Sequence, residues 1–229
     1  MTDGDLSVTG THLGTQLRLF DPDAADPLLT LPADTWVAGV DEVGRGALFG
    51  PVVAAAVLLS PAALSPLQTA GVTDSKQLSP RQRQQLVTSI QAAALDCQIG
   101  VASVAEIDRL NILQAALLAM LRSVQKLSPV PHLCLVDGNQ RIPNLNLPQQ
   151  TVVKGDQQVL AIACASIIAK VWRDDLITRL APQYPDYDLV ANKGYGSQRH
   201  RTALQTLGCT PLHRRSFRPC QGAASGYEL

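Results

Sequence analysis

The sequence has few cysteines, and their spacing does not suggest pairing. The five cysteines among 229 residues are odd in number, widely separated and free of any C-x-x-C pair. This spacing argues against a disulfide framework and against a zinc ribbon. We therefore expect a protein of the reducing cytoplasm. At 229 residues, the chain is long enough to fold around an ordinary hydrophobic core.

Long hydrophobic runs are also missing. Residues 46–73 carry no charge, but glycines and prolines interrupt them, and the unbroken apolar run is residues 52–59. That run is far shorter than the roughly 20 residues that a membrane helix needs. The N-terminus lacks the basic and then apolar pattern of a signal peptide. We expect a soluble protein without a membrane partner.

An overall excess of charge is absent as well. Lys and Arg number 19, and so do Asp and Glu, so the net charge is zero. The distribution is uneven, because residues 192–227 contain six Lys or Arg and no acid, whereas residues 1–34 contain six Asp and one Arg. Binding of a polyanion would therefore depend on local charge placement, and the basic C-terminal segment is the candidate.

The chain divides into an extension and one folded domain. Residues 1–33 are rich in Asp, Gly, Thr and Pro and show little periodicity, so we interpret them as a flexible N-terminal extension. Residues 34–229 form the predicted domain, including the basic C-terminal segment. Apolar runs at residues 36–43 and 52–59 flank the loop G-R-G-A-L-F-G, which predicts two paired strands around a glycine loop.

Further along the chain, strand and helix patterns alternate. Ser79 followed by Pro80 predicts a capped helix reaching about residue 95. The remaining patterns predict strands at residues 97–104, 133–136 and 151–153, and helices at residues 105–126 and 157–180. This order predicts an α/β protein with a mixed central sheet flanked by helices.

Four carboxylates stand where predicted strands end or helices begin: Asp41, Glu42, Asp137 and Asp156. Taken singly, each fits a turn or a helix cap, and for any one of them that interpretation is preferred. Taken together, they can converge at one sheet edge, where like charges about 4 Å apart repel by roughly 4 kcal/mol at an effective dielectric of 20. Such a cluster predicts Mg²⁺ or Mn²⁺, whose usual co-ligand is a phosphate.

Other candidate ligands fit less well. The four histidines have no zinc-site spacing, which argues against a zinc hydrolase. Asp174 is 18 residues beyond Asp156, or roughly 27 Å away along a continuous helix, so both cannot hold one metal pair. We assign Asp174 a structural ion pair with Arg173 or another nearby base.

Three further features are ambiguous alone. Gly44, Arg45 and Gly46 could form a ligand-binding turn or a plain hairpin. Tyr195 lies between glycines and next to bases, which suits stacking on a sugar or base as well as an ordinary surface loop. Lys76 is either a surface lysine or a phosphate contact.

Six blocks of sequence, taken in order, resemble bacterial ribonuclease HII. They are D-E-V-G-R-G at 41–46, D-S-K at 74–76, V-D-G-N at 136–139, K-G-D at 154–156, A-S-I-I-A-K-V-W-R-D at 165–174 and K-G-Y-G at 193–196. The resemblance implies a ribonuclease H-like fold with a helical C-terminal segment. It also implies a monomer that uses two Mn²⁺ or Mg²⁺ ions to cleave RNA in RNA–DNA hybrids and at ribonucleotides embedded in duplex DNA, leaving a 3′-hydroxyl and a 5′-phosphate.

The resemblance also implies roles for individual residues. Asp41, Glu42, Asp137 and Asp156 would be the catalytic metal ligands. Gly44, Arg45 and Gly46 would read the ribose 2′-hydroxyl, Tyr195 would pack on the sugar of the adjoining deoxynucleotide, and Lys76 would contact a phosphate. Ribonuclease HIII would carry an extra N-terminal domain and another residue in place of Arg45, so we expect the HII type.

Two alternatives and one partner complete the expectations. A catalytically silent nucleic-acid-binding module could use Tyr195 and the basic segment, and a junction resolvase of the same fold would ignore the ribose. In the extension, Gln16, Leu17, Arg18, Leu19 and Phe20 resemble the short peptide with which repair enzymes bind the DNA sliding clamp. Because pentapeptides recur by chance, a bland extension is the favoured interpretation.

Overall fold

The computed structural model describes residue 32 and residues 34–222. The clamp-like peptide, Gln16 to Phe20, lies outside these residues, as does the rest of the predicted N-terminal extension apart from residue 32. The described elements are β1 (Val37–Val43), β2 (Val52–Leu59), α1 (Leu64–Thr69), α2 (Pro80–Ala93), β3 (Asp96–Ala102), α3 (Val104–Leu110), α4 (Ile112–Val124), β4 (Leu133–Asp137), β5 (Gln149–Val152), α5 (Leu160–Leu180), α6 (Leu189–Asn192) and α7 (Gln198–Leu207).

The five strands form one mixed sheet in the order β3-β2-β1-β4-β5. β2 pairs antiparallel with β1 and with β3, whereas β4 runs parallel to β1 and to β5. The predicted hairpin is therefore confirmed, with Asp41 opposite Ala55. Because β1 and β4 are adjacent and parallel, their carboxyl ends meet at the same edge of the sheet, which brings Asp41 and Asp137 to one side of the molecule.

Helices cover both faces of the sheet. Ala55, Val57 and Leu59 of β2 pack in the cluster with α1, α2 and α5, while Ala54, Ala56 and Leu58 pack in the cluster with α4. Burial on both faces explains why β2 reads as an unbroken apolar run. α5 lies directly on β1, since a Cβ atom at Gly39 would overlap the backbone of Ala161.

Two predicted helices begin or end differently from expectation. The predicted helix 105–126 is wrong as a single element, because Asn111 has φ 73° and separates α3 from α4. Its side-chain oxygen accepts hydrogen bonds from the amides of Leu113 and Gln114, at 3.0 and 3.1 Å, and so caps α4. The predicted helix 157–180 begins at Leu160, after a 3-10 turn at Gly155–Gln157 that contains Asp156.

A third cluster of buried residues joins the C-terminal segment to the loop after β1. Leu48 and Phe49 from that loop pack with residues of α5, the Tyr184 to Leu189 turn, α7 and Cys220. The C-terminal segment is thus folded against the sheet edge that carries the carboxylates. Within the described ranges, none of the helices combines the length and apolar character that crossing a bilayer requires.

Candidate active site

Five of the predicted site residues line one cavity at the carboxyl ends of β1 and β4. The cavity, of about 310 Å³, is lined by Asp41, Glu42, Val43, Ser75, Lys76, Arg83, Asp137, Ser166, Lys170 and Tyr195. Asp156 adjoins it through Lys76, whose Nζ lies 2.7 Å from Asp156 Oδ2. Two larger surface grooves, of about 500 and 550 Å³, contain none of these residues. The carboxylates that are distant in sequence are therefore neighbours in the fold.

Burial of three carboxylates makes their negative charges costly. Burial raises the pKa of Asp41 well above its ordinary value of 3.8, and the charges of Glu42 and Asp137 raise it further. Burial also raises the pKa of Glu42, against a hydrogen bond from Arg45. It raises the pKa of Asp137 as well, although the Gly155 amide donates to its Oδ1 at 2.7 Å. The cluster is thus one that protons or cations would stabilise.

Two cationic side chains partly neutralise this cluster. Arg45 donates from Nη1 to Glu42 Oε1 at 3.1 Å, and Lys76 donates to the buried Asp156 at 2.7 Å. The hydrogen bond to Asp156 raises the pKa of Lys76. Both cations are well exposed, at 51% and 74% of their side-chain surface. They can therefore turn from a carboxylate to a phosphate without a rearrangement of the core.

The donor set suits a hard divalent cation. Among residues 32 and 34–222, no three His, Cys, Asp or Glu side chains form a ready-made metal cage. Glu42 is paired with Arg45, and Asp156 is paired with Lys76. All four candidates offer only carboxylate oxygens, the ligands that Mg²⁺ and Mn²⁺ prefer, and three of them have raised pKa values. The residues present fit such ions.

The glycine loop stands beside the carboxylates and is held from behind. Gly44 has φ 90°, and a Cβ atom there would overlap the guanidinium group of Arg173. Arg45 shares a small adjoining pocket with Glu42 and Asp137. Its carbonyl oxygen accepts a hydrogen bond from Arg214 Nη1 at 2.9 Å. The loop backbone is therefore held by packing and by this hydrogen bond, while the exposed Arg45 side chain is paired with Glu42.

Tyr195 faces the same cavity from the C-terminal segment. Its ring lies 5.6 Å from Lys170 Nζ and 5.5 Å from Arg173 Cζ, within the range of cation–π attraction. A β-bridge pairs Tyr195 with Ala47 of the glycine loop. The two features predicted to contact substrate are thus part of one surface.

Sequence reasoning missed several residues around the cavity. Ser75, Arg83, Ser166 and Lys170 line it. Arg83 is buried and donates from Nη1 to the carbonyl oxygens of Ser75 and Leu78, at 2.7 and 2.6 Å, which fixes the D-S-K segment. The available signal was their position inside or beside the D-S-K and A-S-I-I-A-K blocks.

Asp174 forms an ion pair with a nearby base, as the sequence predicted. Its partner is Lys170, at 2.9 Å, one turn earlier on α5. The other partner considered, Arg173, instead donates to the carbonyl oxygens of Phe49, Pro51 and Lys193, at 2.9 to 3.1 Å. Arg173 is completely buried, so it is bound to backbone rather than to an acid.

Comparison with known proteins agrees with this geometry. The family model described as Ribonuclease HII matches residues 38–220. A ribonuclease HII from Acaryochloris marina is 63% identical over 191 residues, which are 83% of this chain and 96% of that protein. Among solved structures, the ribonuclease H2 of Pyrococcus horikoshii OT3 superposes with a TM-score of 0.69 at 28% identity, over 81% of this chain and 95% of that one.

A second solved structure is the PCNA:RNase HII complex from Archaeoglobus fulgidus, with a TM-score of 0.66 at 28% identity over 78% of this chain and 91% of that one. These likenesses confirm the predicted ribonuclease H-like fold with its mixed sheet. They do not favour a silent binding module or a junction resolvase, and they imply use of a divalent metal. The chain belongs to the ribonuclease HII family, endoribonucleases that act on RNA–DNA hybrids.

Proposed function

We propose that this chain cuts the phosphodiester bond on the 5′ side of a ribonucleotide, both in RNA–DNA hybrids and at single ribonucleotides within duplex DNA. The products would carry a 3′-hydroxyl and a 5′-phosphate. One observation carries the proposal: Asp41, Glu42 and Asp137 line a single cavity together with Lys76 and Tyr195. The shared cavity supports the assignment of these carboxylates as metal ligands, of Lys76 as a phosphate contact and of Tyr195 as the residue that packs on a sugar.

The carboxylates are assigned as metal ligands. Asp41, Glu42, Asp137 and Asp156 would hold two Mg²⁺ or Mn²⁺ ions, which when bound supply an activated water and stabilise the attacking and leaving oxygens. Lys76 would exchange Asp156 for a phosphate beside the scissile bond, which its exposed position permits. Arg45 would likewise leave Glu42 when a substrate phosphate or sugar approaches.

The glycine loop and Tyr195 are assigned to recognition. Gly44, Arg45 and Gly46 would contact the ribose 2′-hydroxyl, the group that separates RNA from DNA. Support comes from the fixed loop backbone, because polar groups held in place can select a hydroxyl by geometry. Tyr195 would stack on the sugar of the following deoxynucleotide. Together they would favour the junction where RNA is followed by DNA.

The test is cleavage of a DNA duplex that bears one ribonucleotide, beside an all-DNA duplex, with Mg²⁺ or Mn²⁺. We expect cutting of the first alone, on the 5′ side of the ribonucleotide. Asp137→Asn should abolish cutting and retain most binding of the hybrid, while Asp175→Asn, an exposed carboxylate on α5, should cut normally. A wild-type protein that binds without metal-dependent cutting would be a silent module, and cutting of the all-DNA duplex would indicate a different nuclease.

We further propose that the N-terminal peptide containing Gln16, Leu17, Leu19 and Phe20 binds the DNA sliding clamp. The resemblance of this peptide to clamp-binding peptides supports the proposal. The Archaeoglobus fulgidus relative was solved as a PCNA:RNase HII complex. The replacement Leu19→Ala with Phe20→Ala should eliminate clamp binding and leave cleavage of the short duplex unchanged. A wild-type chain that does not bind the bacterial clamp would refute the assignment.

We also propose a cytoplasmic monomer. All five cysteines are free thiols in the structure, as in a reducing compartment. Light scattering coupled to gel filtration should give the mass of one chain, 24.4 kDa. A mass of two chains would contradict the monomer.

A further inference from the structure

A pair of buried histidines lies behind Tyr195, away from the carboxylates. His200 and His213 are 0% and 1% exposed, and their Nε2 atoms are 2.9 Å apart. His200 Nδ1 lies 2.9 Å from the carbonyl oxygen of Tyr195. His213 Nδ1 lies 3.0 Å from the amide nitrogen of Thr210 and 2.9 Å from its hydroxyl oxygen. A continuous chain of hydrogen bonds therefore connects Thr210 with the backbone of Tyr195.

Only one arrangement of protons satisfies this chain. The Tyr195 carbonyl oxygen can only accept, so His200 Nδ1 carries the proton that it donates. The Thr210 amide can only donate, so His213 Nδ1 accepts, and a neutral His213 then carries its proton on Nε2. His213 Nε2 consequently donates to His200 Nε2. Burial lowers the pKa of both rings, that of His213 to about 3, so both are neutral at neutral pH and every ring nitrogen is paired.

The next residue in the chain reaches the other recognition element. Arg214 is completely buried and donates from Nε to the Gly50 carbonyl oxygen and from Nη1 to the Arg45 carbonyl oxygen, both at 2.9 Å. Its own amide donates to the Leu48 carbonyl oxygen at 2.9 Å. Arg214 thus holds both ends of the glycine loop, while its neighbour His213 acts on Tyr195 through His200.

We propose that the adjacent residues His213 and Arg214 are positioning residues for the two recognition elements. His213 positions Tyr195 through His200. Arg214 positions the glycine loop. Both side chains are buried, at 1% and 0% exposed, and neither lines the cavity, so we assign them to positioning and not to substrate contact. The inference rests on the proposed function, because it takes Tyr195 to recognise the deoxynucleotide and the glycine loop to recognise the ribose. It adds that the C-terminal segment determines how well an RNA-to-DNA junction is recognised.

The backbone also connects the two recognition elements. Phe49 forms a β-bridge with His213, and Ala47 forms one with Tyr195. The Gly194 carbonyl oxygen, one residue before Tyr195, accepts from the amides of Leu48 and Phe49, at 2.8 and 3.2 Å. The glycine loop therefore lies between the two positioning residues and the tyrosine. The two branches therefore start from one dipeptide, and each acts on its own recognition element.

The Tyr195 branch is tested with paired substitutions of His200. In His200→Asn the amide nitrogen can take the place of Nδ1 and donate to Tyr195, whereas in His200→Gln the longer amide reaches towards His213 and leaves the Tyr195 carbonyl oxygen unpaired. The substrates are a duplex with one ribonucleotide followed by DNA and a uniform RNA–DNA hybrid. We expect His200→Gln to raise KM for the junction by about fivefold, with kcat and the uniform hybrid nearly unchanged. His200→Asn should restore the junction preference.

The Arg214 branch is tested with Arg214→Lys, which keeps the charge. A lysine ammonium cannot reproduce the two-carbonyl fork of the guanidinium group. Because both substrates contain the ribose, kcat/KM should fall by the same factor, about fivefold, on the junction and on the uniform hybrid. The ratio between the two substrates should stay constant, in contrast to His200→Gln.

Controls separate positioning from loss of folding. His132→Gln replaces an exposed histidine and Arg122→Lys a half-buried arginine remote from the cavity, so the thermal stability of these variants can change while the ratio stays constant. Suppose first that Tyr195→Ala abolishes the junction preference. The inference is then overturned if His200→Asn and His200→Gln lose the preference equally, or if neither of them loses it. If Tyr195→Ala leaves it intact, the proposed role of Tyr195 fails first, and the inference fails with it.

Discussion

Two neighbouring regions of this molecule bury like charges and resolve the repulsion differently. At the sheet edge, Asp41, Glu42 and Asp137 share a cavity and have raised pKa values. Directly behind them, Arg173 and Arg214 are completely buried, and burial lowers the pKa of both, that of Arg214 to about 9. The acidic region faces an open cavity, whereas the basic region donates to backbone carbonyl oxygens.

The difference separates a site from its support. Carboxylate oxygens accept hydrogen bonds and bind cations, and those of the acidic region face an open cavity, so this region retains binding capacity for an added cation. The two arginines use most of their donors on fixed backbone, although Arg214 Nη2 has no hydrogen-bond partner within the described part of the chain. The acidic region can therefore bind a ligand, whereas the two arginines hold the backbone around it in place.

The sharpest test of this contrast is Asp41→Asn. Loss of a candidate metal ligand should lower cleavage by about 10³-fold, which corresponds to roughly 4 kcal/mol. The same change should raise the free energy of unfolding at pH 8. Because the pKa of Asp41 is raised in the folded protein, the free energy of unfolding decreases as the pH rises above the ordinary value of 3.8. Asparagine does not ionise, so the variant avoids this decrease. Hydrolysis assays and urea titrations at pH 5 and 8 measure both effects; a destabilised variant would contradict the contrast.

Arg173→Met should mainly lower stability, whereas Asp41→Asn mainly lowers cleavage. It leaves three backbone carbonyl oxygens without their donor, at Phe49, Pro51 and Lys193. We expect a loss of about 3 kcal/mol or more in the free energy of unfolding. Urea titration measures it, with Arg122→Met as the control because Arg122 is 39% exposed and should cost less. Equal losses in the two variants would show that burial of Arg173 contributes little.

Acid should destabilise the basic region and not the acidic one. Burial lowers the folded pKa of His213 to about 3, below the ordinary 6.5, so the unfolded chain binds more protons. The contribution of neutral His213 to the free energy of unfolding is fully present above pH 6.5. It decreases as the pH falls towards 3, and about 2 kcal/mol is lost at pH 5. His213→Asn, whose side-chain oxygen can accept from Thr210, should flatten this dependence between pH 5 and 8. An unchanged slope would assign the acid sensitivity to other groups.

A small effect is expected far from both regions. Glu106 pairs with Arg122 at 2.7 Å and caps α3 together with Ser103. Glu106→Gln keeps the capping box and loses the ion pair, so stability should fall by about 0.5 kcal/mol with unchanged cleavage. The hydrogen bond from Arg122 lowers the pKa of Glu106 to about 2, so the difference from wild type should shrink as pH falls from 4.5. Thermal unfolding and the duplex assay measure these effects.

Local patterns predicted the hairpin and the start of α2. Residues 52–59 are apolar because β2 is buried on both faces, and Ser79 with Gln82 forms a capping box ahead of the helix. The break at Asn111 escaped prediction since the leucine spacing continues across it, through Leu110, Leu113 and Leu117. Periodicity records which face is buried but does not record a change of helix axis.

The sequence by itself determined the family and the candidate carboxylates, because the D-E-V-G-R-G, V-D-G-N and K-G-D blocks are short and local. Tertiary structure alone decided which groups meet: Lys76 and Asp156 are 80 residues apart, and Arg214 and Gly50 are 164 apart. Arg173 and His213 look like ordinary polar residues in the sequence and are buried in the fold. The physical reason is that spacing along the chain encodes helices, strands and caps, whereas burial and pairing depend on how those elements pack.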